Sequence, residues 1–449
     1  MSTDQNTLQI YTYPSTTPKS KEFRVRTNGQ LLFVHHTNVA DFSCLAFKGA
    51  LEVEVEINQP ITKVDIRPLS LGLKARIQGK TLYFTLTKPV NIQIDINGLK
   101  PLHFHGNPFE TNIPSHTDPN VLWFKGGEVH EVGELVLREN QTLYIQGGAV
   151  LKGVIRASQS KNIKICGRGI LDGSNYKSGN FLPSVIFDRC DGILIEDITI
   201  IEPAGWMVVL GASKNIHIRN LKEIGEIMCS DGIDIVGSRD VLIEGCFLKN
   251  NDDCIVIKAD LKEGTGWTKE AEPGLDWRGN IENIMVKDCT LMNDYCGNAM
   301  EIGYELNTDI IRNVTYRNID VIHVHGQGAV FSIHHAGCAA VSDILWEDIR
   351  IEHCYDFFID FRIFTSLAYI KEKVNEGVRG TVQHIRLRNI HWHRTVYNSY
   401  CTKSIIGGWG KEHPIQDVEI DGCFFDGQRV LDMDRLGIYT KSVTGILLK

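Results

Sequence analysis

The chain has no run approaching the roughly 20 consecutive apolar residues that a membrane-spanning helix needs, so no membrane partner is expected. Its opening, MSTDQNTLQIYTYP, lacks the basic start and apolar stretch of a secretory signal; a cytoplasmic protein, or a secreted one already trimmed of its signal, is expected. Positive charge is not in excess. With 47 Lys and Arg against 55 Asp and Glu the net charge is −8, which leaves no electrostatic footprint for nucleic acid. CxxC pairs are absent among the 12 cysteines, several of which fall at equivalent places in the repeats described below, so they read as reduced core residues. What remains, at 43% hydrophobic and 23% charged, is ordinary globular composition, and 449 residues make two or three domains or one long repetitive one.

From about residue 8 to 105 the chain alternates apolar and polar residues in short runs: LEVEVEI (51–57), KVDIRPL (63–69), KTLYFTL (80–86) and NIQIDI (91–96). A period of two, broken by turn residues every 8 to 12 positions, predicts an antiparallel β-sandwich or small barrel over 1–105. The Pro-, Asn- and His-rich stretch 106–125 is expected to link it to a second domain, 126–449.

That second domain repeats internally. Segments such as NIKICGRGILDG, NIHIRNLKEI, NVTYRNIDVI and DVEIDGCFFD align with equivalent residues at Ile163, Ile193, Ile216, Val241, Ile284, Val314, Ile344, Ile385 and Val418. The intervals of 30, 23, 25, 43, 30, 30, 41 and 33 residues leave no room for crossover helices. Short strands joined by polar or Gly-containing corners predict stacked coils of a parallel β-helix; neither a leucine-rich signature nor a WD motif is present. The two longest intervals carry insertions at 259–279 and 364–380, expected to project from one face and wall a groove.

One stretch, CSDGIDIVGSRDVLIEGCFLKNNDDCIVIK (229–258), concentrates acid. Asp231 and the pair Asp252–Asp253 lie 21 residues apart, close to one coil, so their turns are expected to stack and crowd three carboxylates together. Crowded like charges raise at least one pKa and supply a protonated acid beside an ionised base. Glycoside hydrolysis needs that division of labour, with ~6.5 to 9.5 Å between the carboxyl groups of an inverting pair. A merely solvated acidic turn, or one that holds Ca²⁺, fits the same composition.

The run GRGILDG (167–173), the segment GGEVHEVGELVLRENQTLYIQGGAVLKG (126–153), the SDGID box (230–234) and the NDDC box (251–254) resemble the right-handed β-helix polysaccharide hydrolases, the family 28 polygalacturonases and the related family 49 dextranases and isopullulanases, over roughly residues 120–430. The resemblance implies an all-β, right-handed parallel β-helix and an inverting hydrolase that needs no cofactor. It implies Asp252 as general acid and Asp231 with Asp253 holding the attacking water; Asp234 reads as structural.

The departures concern the sugar. Where polygalacturonases carry a GHG box the chain has GNAMEIG, placing Asn298 at the His and Glu301 at a small hydroxyl residue. Their Arg-Ile-Lys motif aligns with Ser332-Ile333-His334, removing two cations that would pair a uronate carboxylate. A neutral oligo- or polysaccharide, an α-glucan by the resemblance to dextranases and isopullulanases, is therefore the expected substrate. Asn298, Glu301, Ser332, His334 and His335 are expected to contact it, with Trp206 beside the groove and Trp267 and Trp277 of the first insertion as sugar platforms. His323, His325, His334 and His335 alternate along strands and are not expected to converge on a metal. The sequons at Asn140 and Asn313 carry little weight in a chain with no visible signal. Three other readings stay open: a pectic substrate, a Ca²⁺-dependent lyase, and a non-catalytic carbohydrate-binding solenoid. Oligomeric state is not legible.

Overall fold

Residues that alternate inward and outward with a period of two cannot bury one face without pairing, and the chain solves this with strands almost throughout. The computed structural model describes residues 7–176, 182–262, 275–364, 378–395 and 402–449. Among them the one helical element is the 3₁₀ turn Leu69–Leu71.

Two five-stranded sheets occupy residues 8–107. In Leu51–Ile57 the aliphatic residues are buried while the glutamates face outward, as the alternation predicts. Inward residues of both sheets, among them Val25, Val53, Leu82, Ile94 and Phe104, close one sandwich core. Asp41–Phe47 is buried at every position because its second face packs on the remainder of the chain: Phe42, Cys44 and Ala46 meet Val150, Ile170, Ile201 and Ile224.

From Val121 to Leu448, thirty strands belong to one continuous sheet that winds as a right-handed parallel β-helix. The last sandwich strand runs to Asn107, and Val121–Phe124 already pairs with Thr142–Ile145, so coil pairing begins within the segment expected to be a linker. The repeat alignment is reproduced residue for residue: Ile163 pairs with Ile193, and the column continues through Ile216, Val241, Ile284, Val314, Ile344, Ile385 and Val418 to Ile446. Immediately before these residues stand Asn162, Gly192, Asn215, Asp240, Asn283, Asn313, Asp343, His384 and Asp417, all at positive φ. Asn, Asp and Gly enter the left-handed region at low cost, which is why the corners are written in those residues. Their side chains also ladder from coil to coil, Asn313 Nδ2 donating to Asn283 Oδ1 and Asn283 Nδ2 to Asp240 Oδ1, each at 2.7 Å. Of the 11 described cysteines eight are buried, none is in a disulfide, and Cys423 takes the place that Ile390 holds one coil earlier.

One face positions the groove. The strands Ile233–Val236, Ile255–Lys262, Met300–Leu306, Ala329–His335 and Phe357–Ile363 stack on it in that order. No helix of the described residues is long and apolar enough to cross a membrane.

Candidate active site

Asp231 enters the strand Ile233–Val236, and Asp252 and Asp253 enter Ile255–Lys262. Because Ile233 pairs with Ile255, the three carboxylates rise from adjacent coils at one corner. One oxygen of each lies within 4.8 Å of the others. This convergence matches the sequence expectation, but the spacing is tighter than the ~6.5 to 9.5 Å expected for an inverting pair. It is a span that a single water bridges with two ordinary hydrogen bonds of about 2.8 Å. The next coil approaches so closely that Gly297, at φ 80°, has no room for a side chain: a Cβ there would stand 2.4 Å from Asp252 Oδ1 and 2.5 Å from the Asp253 amide nitrogen.

The environments of the carboxylates differ. Burial, with Asp231 alongside, pushes Asp252 up to about 7 against the pull of Lys258. Burial, together with Asp252 and Glu301, raises Asp253 well above the usual carboxylate range. Asp231 gives one oxygen to Lys258, whose Nζ lies 2.8 Å from Asp231 Oδ2, 2.9 Å from Asp234 Oδ1 and 3.9 Å from the centre of the Trp206 ring. Burial disfavours the ammonium, yet Asp231 and Asp234 outweigh it and hold Lys258 charged. The other oxygen, Asp231 Oδ1, is buried without a hydrogen-bond partner among the described residues. Cys229, in the left-handed region at φ 68°, and Cys296 flank Asp252, and burial plus that carboxylate push their thiols up to about 11 and about 12.

Most of the expected sugar contacts lie one layer too deep. Asn298 donates from both its backbone N (2.7 Å) and Nδ2 (2.8 Å) to Asp253 Oδ1, so it orients a carboxylate. Ser332 is fully buried and donates to the Met300 carbonyl. His335 points to the opposite side of its strand from His334, bonds the Ala339 carbonyl and is held by burial at about 4. Glu301 is buried and takes His334 Nδ1 at 3.0 Å, while Asp360 takes His334 Nε2 at 3.0 Å. Burial opposes charge on that ring, but the two carboxylates prevail and raise it to about 10. The expected loss of both cations is thus corrected: His334 carries charge at neutral pH, and Arg362 stands one coil on, paired to Asp360 by two 2.6 Å bonds. Trp206 is half-buried beside Lys258, at the edge of the groove.

Trp277 is not a platform. It is fully buried against Ile186, Val209 and Val236, and its Nε1 donates to Asp188 Oδ1 at 2.8 Å. The root of the first insertion is a hairpin, Asp260 pairing with Trp277, that folds back over earlier coils. Trp267 lies outside the described residues, as does most of the second insertion.

Lys258, Tyr304, Asp360 and Arg362 escaped the sequence reading. Lys258 and Arg362 each interrupt an apolar strand, CIVIK and FFIDFRI, on the outward parity, and that interruption was the available signal. For a metal, Asp231, Asp252 and Asp253 are the one described grouping with ligand spacing, and the Lys258 ammonium already supplies positive charge there. The histidines pair elsewhere: His323 with Asp294, His325 with His353.

The model for Glycosyl hydrolases family 28 matches residues 140–354, which contain all three carboxylates, so the resemblance read from the motifs is borne out. Probable endopolygalacturonase I of Aspergillus terreus is 31% identical over 196 residues, 39% of this chain; the chain spans about half (52%) of that relative's length. Among solved structures, Dex49A from Penicillium minioluteum superposes with a TM-score of 0.63 at 13% identity, covering 99% of this chain and 97% of its own. The polygalacturonase from Erwinia carotovora ssp. carotovora gives 0.51 at 15% identity over 72% of this chain and 87% of its own. The first likeness takes in the sandwich as well as the β-helix; the second covers less of the chain.

Proposed function

We propose that the chain is an inverting glycoside hydrolase acting on a neutral oligo- or polysaccharide, an α-glucan. The observation that carries this is the difference between neighbouring carboxyls: Asp252, raised to about 7, is available as a proton donor, while Asp231 turns an unbonded, buried oxygen toward the same point. Asp252 protonates the departing glycosidic oxygen, and a water between Asp231 and Asp253 attacks the anomeric carbon from the opposite side, losing its proton to a carboxylate. Asn298 aims Asp253, and Lys258 aims Asp231.

Each cation of the groove is matched to acid: Lys258 to Asp231 and Asp234, His334 to Glu301 and Asp360, Arg362 to Asp360. A uronate carboxylate entering there meets more acid than base, which supports a neutral sugar. The presence of those cations, with the endopolygalacturonase relative, favours a pectic substrate as the second reading. A lyase would need Lys258 as proton abstractor, and its two carboxylate partners keep it protonated.

Release of reducing ends from dextran, pullulan, arabinan and polygalacturonate at pH 7 and pH 5 tests the proposal. Neutral glycans are expected to be cut with inversion, seen by proton NMR of the first product anomer, and Asp252→Asn is expected to lower turnover at least ~10²-fold with an unchanged melting temperature. Strong cleavage of polygalacturonate at both pH values would establish the pectic reading instead.

A further inference from the structure

Only one aromatic ring on the groove floor is both open to solvent and held in a fixed plane, and it lies at an irregularity of the coil. Ile257 pairs with Ile302, but the next pairing joins Ala259 to Leu306, so Met300–Leu306 carries two extra residues there. A bulge of this kind re-aims a side chain, and here it turns Tyr304 out to 38% exposure among otherwise buried neighbours. Gly303, at φ 145°, makes the turn possible: a Cβ would stand 2.2 Å from the His334 carbonyl oxygen and 2.5 Å from Glu301 Oε1. The Tyr304 ring lies parallel to His334, 14° between planes and 5.1 Å between centres, with Phe364 edge-on at 5.7 Å. It is near enough to the catalytic corner that Glu301 and Asp253, after burial, raise its hydroxyl, which therefore stays neutral.

Building on the glycosidase reading, we propose that Tyr304 is the sugar-stacking platform of the subsite adjoining Asp252 and Asp253, and that this subsite takes the CH face of a neutral pyranose. His334 fixes the ring from below while its charge is spent on Glu301 and Asp360. The subsite therefore offers an apolar face at the place where the related polygalacturonases are expected to present cations. Stacking desolvates sugar CH groups without requiring a counter-charge, whereas a uronate would lay its carboxylate beside Glu301 and Asp253.

The test uses the full chain carrying Asp252→Asn, so that ligands are not consumed, and calorimetric titration with isomaltotetraose, maltotetraose and tetragalacturonate. Adding Tyr304→Ala is expected to weaken binding of the neutral tetrasaccharide about tenfold, and Tyr304→Phe to leave it within about twofold. In the Asp252-containing enzyme the Tyr304→Ala loss is expected in KM rather than kcat, the pattern of lost uniform binding, with the melting temperature retained because the ring is exposed. Unaltered glucan affinity in Tyr304→Ala overturns the platform and leaves the hydrolase reading intact. Binding of tetragalacturonate and neither glucan overturns the neutral-sugar reading, and binding of none of the three overturns both.

Discussion

At the scale of single residues, the candidate site depends on atoms that are missing as much as on those present. Gly297 lets the coil above Asp252 close to a distance that no side chain tolerates. Gly297→Ala would combine a backbone at φ 80°, which alanine adopts at a cost of roughly 1 kcal/mol or more, with a direct collision against the acid. Because displacements of about 1 Å cost on the order of 10²-fold in rate, kcat is expected to fall by that order while the melting temperature drops by only a few degrees. Paired kinetic and calorimetric measurement checks this; normal kcat would show that Asp252 is not held by the contact. Sequence reading found the three carboxylates because Asp is rare in such proximity one coil apart. It missed Lys258, a single cation in an apolar strand, because its importance lies in Asp231 and Asp234 one coil away.

At the scale of elements, the first insertion behaves as a strap over early coils. Its return strand Leu275–Trp277 carries an indole into a niche that Gly211 leaves open, since a Cβ at Gly211 would fall 2.1 Å from the ring. Truncating a buried Trp of this size costs ~3 to 5 kcal/mol, and here it also strands Asp188, which loses its indole donor. Trp277→Ala is therefore expected to shift the denaturation midpoint strongly while kcat and KM, taken well below the transition, stay near those of the parent. A raised KM with unaltered stability would restore the platform role that the sequence suggested. The error has a physical origin: an excursion has no period, so nothing in its residue order reveals which Trp turns inward.

At the scale of the whole molecule, the sandwich and its contact with the β-helix hide three histidines. Burial holds His35 and His103 at about 3 and His105 well below the ordinary value. His103 and His105 face Phe247 of the β-helix, and His35 stacks on Phe42. In the unfolded chain each binds a proton below about pH 6.5, while the folded chain refuses it until about pH 3. Stability from these groups is therefore intact above about pH 6.5 and declines as pH falls, by up to about 1.4 kcal/mol per pH unit for each histidine. Glu223, raised by burial to about 8, acts in the opposite sense, adding stability at low pH and losing it as pH rises through that value. The informative quantity is thus a difference between variants. His35→Phe is expected to lose less of its denaturant midpoint between pH 7 and pH 5 than the parent does, and identical pH slopes would mean that His35 is not buried as described.

The sequence by itself determined the coil register, the left-handed corners and the identity of the acidic trio. Each of these is written within a coil, in the two-residue alternation around Ile163 or Ile344, in the Asn or Asp before each, and in the 21 residues from Asp231 to Asp252. Only the tertiary structure decided which groups carry charge and which surfaces meet solvent. His334 is charged because Glu301 and Asp360, from the coils on either side, close on both of its nitrogens; Tyr304 is open because two extra residues interrupt the pairing of its strand; Trp277 is closed because its hairpin doubles back to Asp188, 89 positions earlier. Periodicity is a local property of the backbone and survives in residue order. Electrostatic pairing and burial depend on distances between residues that the order alone leaves tens of positions apart.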